Sequence, residues 1–554
     1  MDPIWLNHYP PGVPKDCTVD PNEELIQVFE GAVAEWSDRS AFSNFGQSLS
    51  FADVDRLSRL FASYLQNDLG IKPGDRVALM MPNILQYPIA LFGCIRANAV
   101  VVNVNPLYTA PELKHQLDDS GAVAIIIFAN SAHVLSEIID DVGLKHVLIT
   151  EVGDLFSFPK RLAVNFFLKY IKRQIDTYHL PKALSFRDIL SADINLYSRP
   201  KNLKASDLAI LQYTGGTTGL SKGAMLSHGS LLANVRQVNS WINRDDIPGQ
   251  EIMITALPLY HIYALTFNCF AFFFKGGLNV LITNPRDTAG MVKEISRWPF
   301  TAITGVNTLF QSLINFPDFQ QLDFSNLKVV SAGGMAVQEF TAKEWSRITG
   351  TQLVEGYGLS EASPVLTSNP VTLEKYNGFI GLPLPGTNIS IRDDEGKELP
   401  IGEPGELYAA GPQIMLGYWN NPEATKKTIT EDGFLATGDM AICNQEGYFK
   451  IVDRKKDMII VSGFNVYPNE IENVATQHAE ILEAAAIGIK DSKGNEAVKL
   501  FTVKKIDSVL APNDVIEFCR KSLAAYKVPD SVEFIDEIPK TNVGKILRRE
   551  LREM

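Results

Sequence analysis

The sequence predicts an α/β protein with a large N-terminal domain of helix-covered sheets and a small barrel-like part, followed by a small α+β C-terminal domain. Three observations carry this prediction. Residues 76–81, 99–104, 122–128, 208–211, 252–256, 278–283 and 328–332 are short runs rich in Val, Ile and Ala, separated by longer stretches with helical spacing. Apolar runs without polar alternation suit strands buried on both faces, as in parallel sheets covered by helices. Between residues 378 and 451 the texture changes. Turns such as Asp393-Asp-Glu-Gly396 and Gln445-Glu-Gly447 divide short strands there, which predicts the barrel-like or antiparallel part. Finally, Asp453-Arg-Lys-Lys-Asp457 interrupts apolar sequence with charge. Beyond it, 471–476, 484–489, 498–503, 515–523 and 532–535 form a compact α+β module. A chain of 554 residues exceeds one ordinary core. The expected domains are 1–453 and 454–554.

Composition narrows the function classes. With 45% hydrophobic and 21% charged residues the chain reads as soluble and globular. A net charge of −13 disfavours a general nucleic-acid binder. The five cysteines (17, 94, 269, 443 and 519) are scattered and form no C-x-x-C pair, which argues for a reducing compartment and against zinc or disulfides. The first residues, Met-Asp-Pro-Ile-Trp, show no signal-peptide pattern, so a cytoplasmic location is expected. The longest nearly apolar run, residues 263–274, includes Thr266 and Asn268 and is shorter than the roughly 20 residues that span a bilayer. A buried helix is expected there.

Residues 159–173 depart from the acidic background. No acid lies between Asp154 and Asp176, while Lys160, Arg161, Lys169, Lys172 and Arg173 supply positive charge among aromatic and aliphatic residues. On a helix, Leu162, Phe166 and Tyr170 share one face. Two readings stand: a basic amphipathic helix that touches the cytoplasmic face of the inner membrane, or an ordinary surface helix packing its Phe residues inward.

The run Tyr213-Thr-Gly-Gly-Thr-Thr-Gly-Leu-Ser-Lys-Gly223 carries the most specific chemistry. Gly215, Gly216 and Gly219 let backbone approach a ligand closely. Thr214, Thr217 and Thr218 add hydroxyls, successive N–H groups form an anion-binding nest, and Lys222 adds a mobile cation. This suits a nucleotide polyphosphate, although no register fits the Walker pattern. A flexible linker is the alternative, and the apolar strand-like run before it argues against that.

This run resembles the phosphate-binding loop of the adenylate-forming superfamily. In the family's order there follow Leu257-Pro-Leu-Tyr-His261, Glu355-Gly-Tyr-Gly-Leu-Ser-Glu361, Thr437-Gly-Asp439, Asp453-Arg-Lys-Lys-Asp457 and Pro539-Lys-Thr-Asn-Val-Gly-Lys545. The resemblance extends from Trp5 to Leu551. In Asn103-Val-Asn-Pro-Leu-Tyr108 and Val461-Ser-Gly-Phe-Asn-Val-Tyr-Pro468 it is similar to the bacterial long-chain acyl-CoA synthetase branch.

The resemblance implies ATP, coenzyme A and a long-chain fatty acid as substrates, with Mg²⁺ as cofactor and acyl-AMP as intermediate. It also implies a large nucleotide- and acyl-binding domain with a mobile C-terminal lid. Glu361, with Thr214, would hold the cation. Tyr213 to Gly219, Lys222, Gly333, Gly334, Glu355, Gly356, Tyr357, Gly358, Asp439 and Arg454 would bind ATP, with Tyr357 on adenine and Asp439 on ribose hydroxyls. Lys545 would bridge the carboxylate and the α-phosphate. Lys456 would be the hinge, and Ser462, Gly463 and Phe464 would admit coenzyme A. His261 would sit beside the acyl pocket, or be a satisfied core residue. The competing functions are a fatty acyl-AMP ligase, an aryl-CoA ligase and a membrane-docked lipid-binding scaffold. A homodimer stays open, and the residues lining the acyl tunnel are not readable from the sequence.

Overall fold

The computed structural model describes residues 3–172, 175–214, 221–242, 249–461, 464–490, 496–505, 508–541 and 546–554. The apolar runs become central strands of two large sheets. One has seven strands in the spatial order Leu184–Ser185, His146–Thr150, Ala124–Phe128, Arg76–Met80, Val100–Asn103, Leu208–Thr214 and Lys222–Ser227. Its pairings are parallel except the last, an antiparallel pairing of the strands that flank the glycine run. The other has nine strands, with Val354–Gly358, Val329–Ala332, Ala302–Gly305, Ile252–Thr255 and Leu278–Leu281 as its consecutive parallel centre. Its far edge is the N-terminal hairpin Ser40–Asn44 and Gln47–Ser50, seated in parallel on Leu278–Leu281.

Helices cover these sheets, and local chemistry sets where several begin. Ser50 and Asp53 form a capping box for Phe51–Ser63, and Thr109 and Glu112 do so for Ala110–Ser120. Helix Gln86–Arg96 is buried along its whole length. Residues 264–272 form the expected buried helical segment, Ala264–Phe272. Just beyond its end, the ring of Phe273 packs against Phe29, Phe42, Phe51 and Phe92. Aromatic pairs of this kind add about 0.5–1.5 kcal/mol each beyond area burial.

The turn-rich stretch forms a four-stranded antiparallel sheet, Asn388–Arg392, Gly405–Ala410, Leu435–Cys443 and Phe449–Arg454. The C-terminal part has its own three-stranded sheet, Ile481–Lys490, Glu496–Lys504 and Ser531–Phe534. One face buries Ile471, Ala475, Val498, Leu500 and Val515 from the sheet and the helices Pro468–Ala475 and Pro512–Arg520. The other buries Ala485, Phe501, Ile538 and Leu551.

Helix Lys160–Phe166 continues through Phe167–Ile171, and its inward stripe is Val164 and Leu168 rather than the Phe residues. Phe158 is 74% exposed, Phe166 58%, Tyr170 60% and Ile171 62%. The inward-packing reading of Phe166 therefore does not hold. Lys160 is a different case from the other cations: its ammonium donates to the Phe45 carbonyl at 2.6 Å and lies over the Phe156 ring. Asn165 ties the helix to the body by accepting from the Gly153 N–H and donating to Asp154. Arg173 lies outside the described residues. Among the described residues no helix is long and apolar enough to cross a membrane.

Candidate active site

A cleft of about 2810 Å³ opens where the C-terminal ends of the parallel strands meet the C-terminal sheet. Open α/β sheets bind ligands at this kind of edge. Ser331 and Ala332 lie in register with Val354 and Glu355 on neighbouring strands, so Gly333, Gly334 and residues 355–358 form one wall. Gly334 has φ +80°, which favours glycine. At Gly358 a Cβ would stand 2.0 Å from the Pro364 carbonyl oxygen, so only glycine fits. Ser331 Oγ and the Tyr263 hydroxyl are 2.8 Å apart on the same wall.

Tyr357 sits at the end of its strand with its hydroxyl donating to Asp439 Oδ2 at 2.6 Å. Asp439 and Arg454 are ladder partners on adjacent strands, with Arg454 Nε 3.4 Å from Asp439 Oδ1. Burial, then the Asp439 carboxylate, pushes the Tyr357 phenol well above its ordinary pKa, so it stays protonated as a donor. Three runs separated in sequence thus place a tyrosine, a carboxylate and a guanidinium at one point. Glu355 is nearly inaccessible, accepts from the Val337 N–H at 3.2 Å, and is pushed up to about 8 by burial.

Thr214 and Lys222 face each other across the hairpin that flanks the glycine run. Gly215, Gly216, Thr217, Thr218 and Gly219 lie outside the described residues. The Tyr213 side chain belongs to the core: its hydroxyl donates to Asp119 Oδ2 at 2.6 Å, and a Cβ on Gly223 would stand 3.1 Å from its ring. Glu361, in the short helix Ser360–Ala362, packs close to both strands of this hairpin and is nearly buried. Its Oε1 accepts from the Tyr418 hydroxyl at 2.7 Å. His261 lines the cleft at the entrance to the buried helical segment, its Nδ1 accepting from the Tyr263 N–H at 3.4 Å.

The charged run at the junction divides its side chains between both sides. Lys455 pairs with Asp394 at 2.8 Å and Glu406 at 2.9 Å. Asp453 accepts instead from the Asn469 N–H of the C-terminal part, and Asp457 pairs with Arg552 at 2.7 Å. Lys456, between these anchors, lines the cleft and is pushed down to about 8, first by burial and then by Arg454. Arg548, largely buried, lies 2.7 Å from Glu472 and 4.0 Å from Asp457 and donates to the Ala486 carbonyl. Phe464 is exposed and stacks on Tyr526 with centroids 4.8 Å apart. Ser462, Gly463 and Lys545 lie outside the described residues.

Sequence reasoning missed Tyr418, Lys455 and Arg548. Tyr418 meets Glu361 across 57 positions, a pairing that no local pattern encodes. Lys455 and Arg548 read as members of basic clusters, and only their acidic partners single them out.

A family model described as AMP-binding enzyme matches residues 29–419, and one described as AMP-binding enzyme C-terminal domain matches residues 470–545. The chain belongs to the AMP-binding enzyme family. Among its relatives, the long-chain-fatty-acid–CoA ligase of Escherichia coli O6:H1 is 54% identical over 553 residues, covering 100% of this chain and 98% of that protein. The fold of the AMP-binding enzymes recurs in the crystal structure of the anthranilate CoA ligase AuaEII in complex with anthranoyl-AMP. That match has TM-score 0.85 at 24% identity and covers 97% of this chain and 98% of that one. ATP-bound MatB from Rhodopseudomonas palustris is 26% identical, with TM-score 0.81 and coverage of 96% of this chain and 99% of its own.

Proposed function

We propose that this enzyme activates long-chain fatty acids. The carboxylate attacks the α-phosphate of ATP to give acyl-AMP and pyrophosphate. The thiol of coenzyme A then attacks the acyl carbon, forming the thioester and releasing AMP. The full-length similarity to the E. coli ligase carries this reading, and it favours coenzyme A transfer over an acyl-AMP ligase, an aryl-CoA ligase or a scaffold.

Both half-reactions handle negative charge, so the protein's work is binding, positioning and electrostatic stabilisation. Asp439, held by Tyr357 and Arg454, takes the ribose hydroxyls, while Gly333, Gly334 and residues 355–358 accept the base. Lys222 meets the phosphates that the glycine run cradles. Glu361 and Thr214 would hold Mg²⁺ through hard oxygens, the donor type it prefers. When bound, the ion neutralises phosphate charge. Residues 454–554 act as the lid, with Lys456 as pivot between the anchored Lys455 and Asp457. Lys545 serves adenylation, and Ser462, Gly463 and Phe464 line the path of coenzyme A. His261 borders the acyl pocket.

Pyrophosphate release across fatty acids of graded length, with and without coenzyme A, tests the reading. Long chains are expected to give one turnover without the thiol and continuous turnover with it. Turnover indifferent to coenzyme A, or confined to aryl acids, would overturn it.

The exposed helix around Phe166 further supports reversible contact with an anionic membrane surface. Arg161, Lys169, Lys172 and Arg173 carry the attraction, and Lys160 is excluded because the body already holds its ammonium. Each cation is worth about 1 kcal/mol near such a surface, so neutralising the four is expected to weaken binding to phosphatidylglycerol vesicles by about 10³-fold at low salt. Sedimentation measures this, and equal pelleting of wild type and variant would refute it.

A further inference from the structure

We propose that Tyr418 is a positioning residue that holds the Glu361 carboxylate in its cation-binding pose and couples it to Lys222. The inference rests on the reading of Glu361 as the carboxylate that meets the metal.

Three segments distant in sequence meet at this side chain. The Tyr418 hydroxyl donates to Glu361 Oε1 at 2.7 Å. Its ring lies 4.4 Å from Lys222 Nζ. The backbone on either side of Tyr418 is clamped between the two elements it touches. Met415 N–H donates to the Glu361 carbonyl at 2.8 Å, and Leu416 N–H to the Met225 carbonyl at 2.9 Å. Met225 N–H returns to the Gly417 carbonyl, and Trp419 N–H donates to the Gly223 carbonyl. The segment therefore runs as an added edge beside strand Lys222–Ser227, which follows the glycine run. Trp419 Nε1 reaches the carbonyl of Asp119, the residue whose carboxylate takes the Tyr213 hydroxyl.

The chemistry follows from this placement. A phenol bonded to Oε1 fixes the orientation of the carboxylate and favours Oε2 as the metal ligand. That suits Mg²⁺, which demands near-ideal octahedral geometry and is usually met by one or two carboxylates. Partners that orient a metal ligand in this way typically change metal affinity 10- to 100-fold when removed. The phenol is the donor in this bond, since a carboxylate can only accept. The ring face attracts the Lys222 ammonium without consuming an N–H, so its protons stay available for phosphate oxygens.

Three variants separate the possibilities: Tyr418→Phe, Tyr418→Leu and Glu361→Gln. Calorimetry would measure Mg²⁺ binding to protein saturated with α,β-methylene ATP, metal-free binding of that analogue, and metal-free binding of AMP. Tyr418→Phe is expected to weaken Mg²⁺ about 10- to 100-fold with AMP affinity and melting temperature unchanged. Tyr418→Leu should also weaken the metal-free triphosphate analogue about 2- to 5-fold, the scale of a lost cation–π contact. Wild-type Mg²⁺ affinity in Tyr418→Phe alongside weakened binding in Glu361→Gln would overturn the role of Tyr418 and leave the reading of Glu361 standing. Wild-type affinity in Glu361→Gln would overturn both. Equal losses for AMP and Mg²⁺ in Tyr418→Phe would mark a general loss of structure and also overturn the proposal. An unchanged triphosphate affinity in Tyr418→Leu would remove the coupling to Lys222.

Discussion

Lys545→Ala is expected to slow adenylation by about 10²–10³-fold, the cost of losing one preorganised contact to developing charge, while largely sparing transfer to coenzyme A. The fatty carboxylate and the triphosphate repel each other, so their approach needs a cation placed between them in advance. On the proposed reading Glu361 would serve the phosphates through the metal and need not touch the attacking oxygen. On the proposed reading the lid turns for the second half-reaction, and Lys545 would then have no charge left to bridge. Pyrophosphate formation from ATP and thioester formation from supplied acyl-AMP report the two steps separately. Arg549→Ala is the proper control for a general effect of basic charge, because Arg549 is exposed. Arg548 cannot serve, since it belongs to an internal ion network. Equal loss in both half-reactions, or an equal effect of Arg549→Ala, would remove the assigned role.

Arg548→Ala should act on stability. The guanidinium faces Glu472 and Asp457 from a largely buried position, and Asp457 is shared with Arg552. Asp453 is also within its field, and burial pushes that carboxyl up to about 6. Removing one partner from such a network leaves uncompensated buried charge and typically costs about 3–5 kcal/mol. It also strips donors from the Ala486 carbonyl and from Asn469. The C-terminal part has its own core, so the loss should appear as a separate early transition in scanning calorimetry, with protease cleavage after the charged junction. Arg548→Met, which restores volume but not charge, should recover little. A single transition at the wild-type temperature would show that the network does not hold this part together.

Much of the fold was legible because burial on both faces leaves a simple trace. The strands Ala124–Phe128 and Ile252–Thr255 are continuous apolar runs, and a run needs no partner to be recognised. Side-chain direction was less legible. Leu162, Phe166 and Tyr170 do share a face, but which way that face points depends on Val164 and Leu168 reaching the core first. Counting cations overstated the free charge in the same helix, because the acceptor for Lys160 is a carbonyl 115 positions away. Asp439 and Arg454 could be named from motifs, yet their contact comes from strand register. Tyr418 had no such motif, and only the fold brings it to Glu361.

The N-terminal hairpin has a consequence in time. Its strand Ser40–Asn44 seats on Leu278–Leu281, so this parallel neighbour is synthesised long after it. At ribosomal rates of about 5–20 residues per second, the hairpin waits roughly 10–50 s for that strand. Throughout the interval Phe42, fully buried in the finished protein, lacks the Phe273 ring it packs against. An unpaired apolar edge of that kind recruits other strands. The nascent chain is therefore most open to holdase chaperones, and to association with its neighbours on a polysome, before residue 281 leaves the exit tunnel.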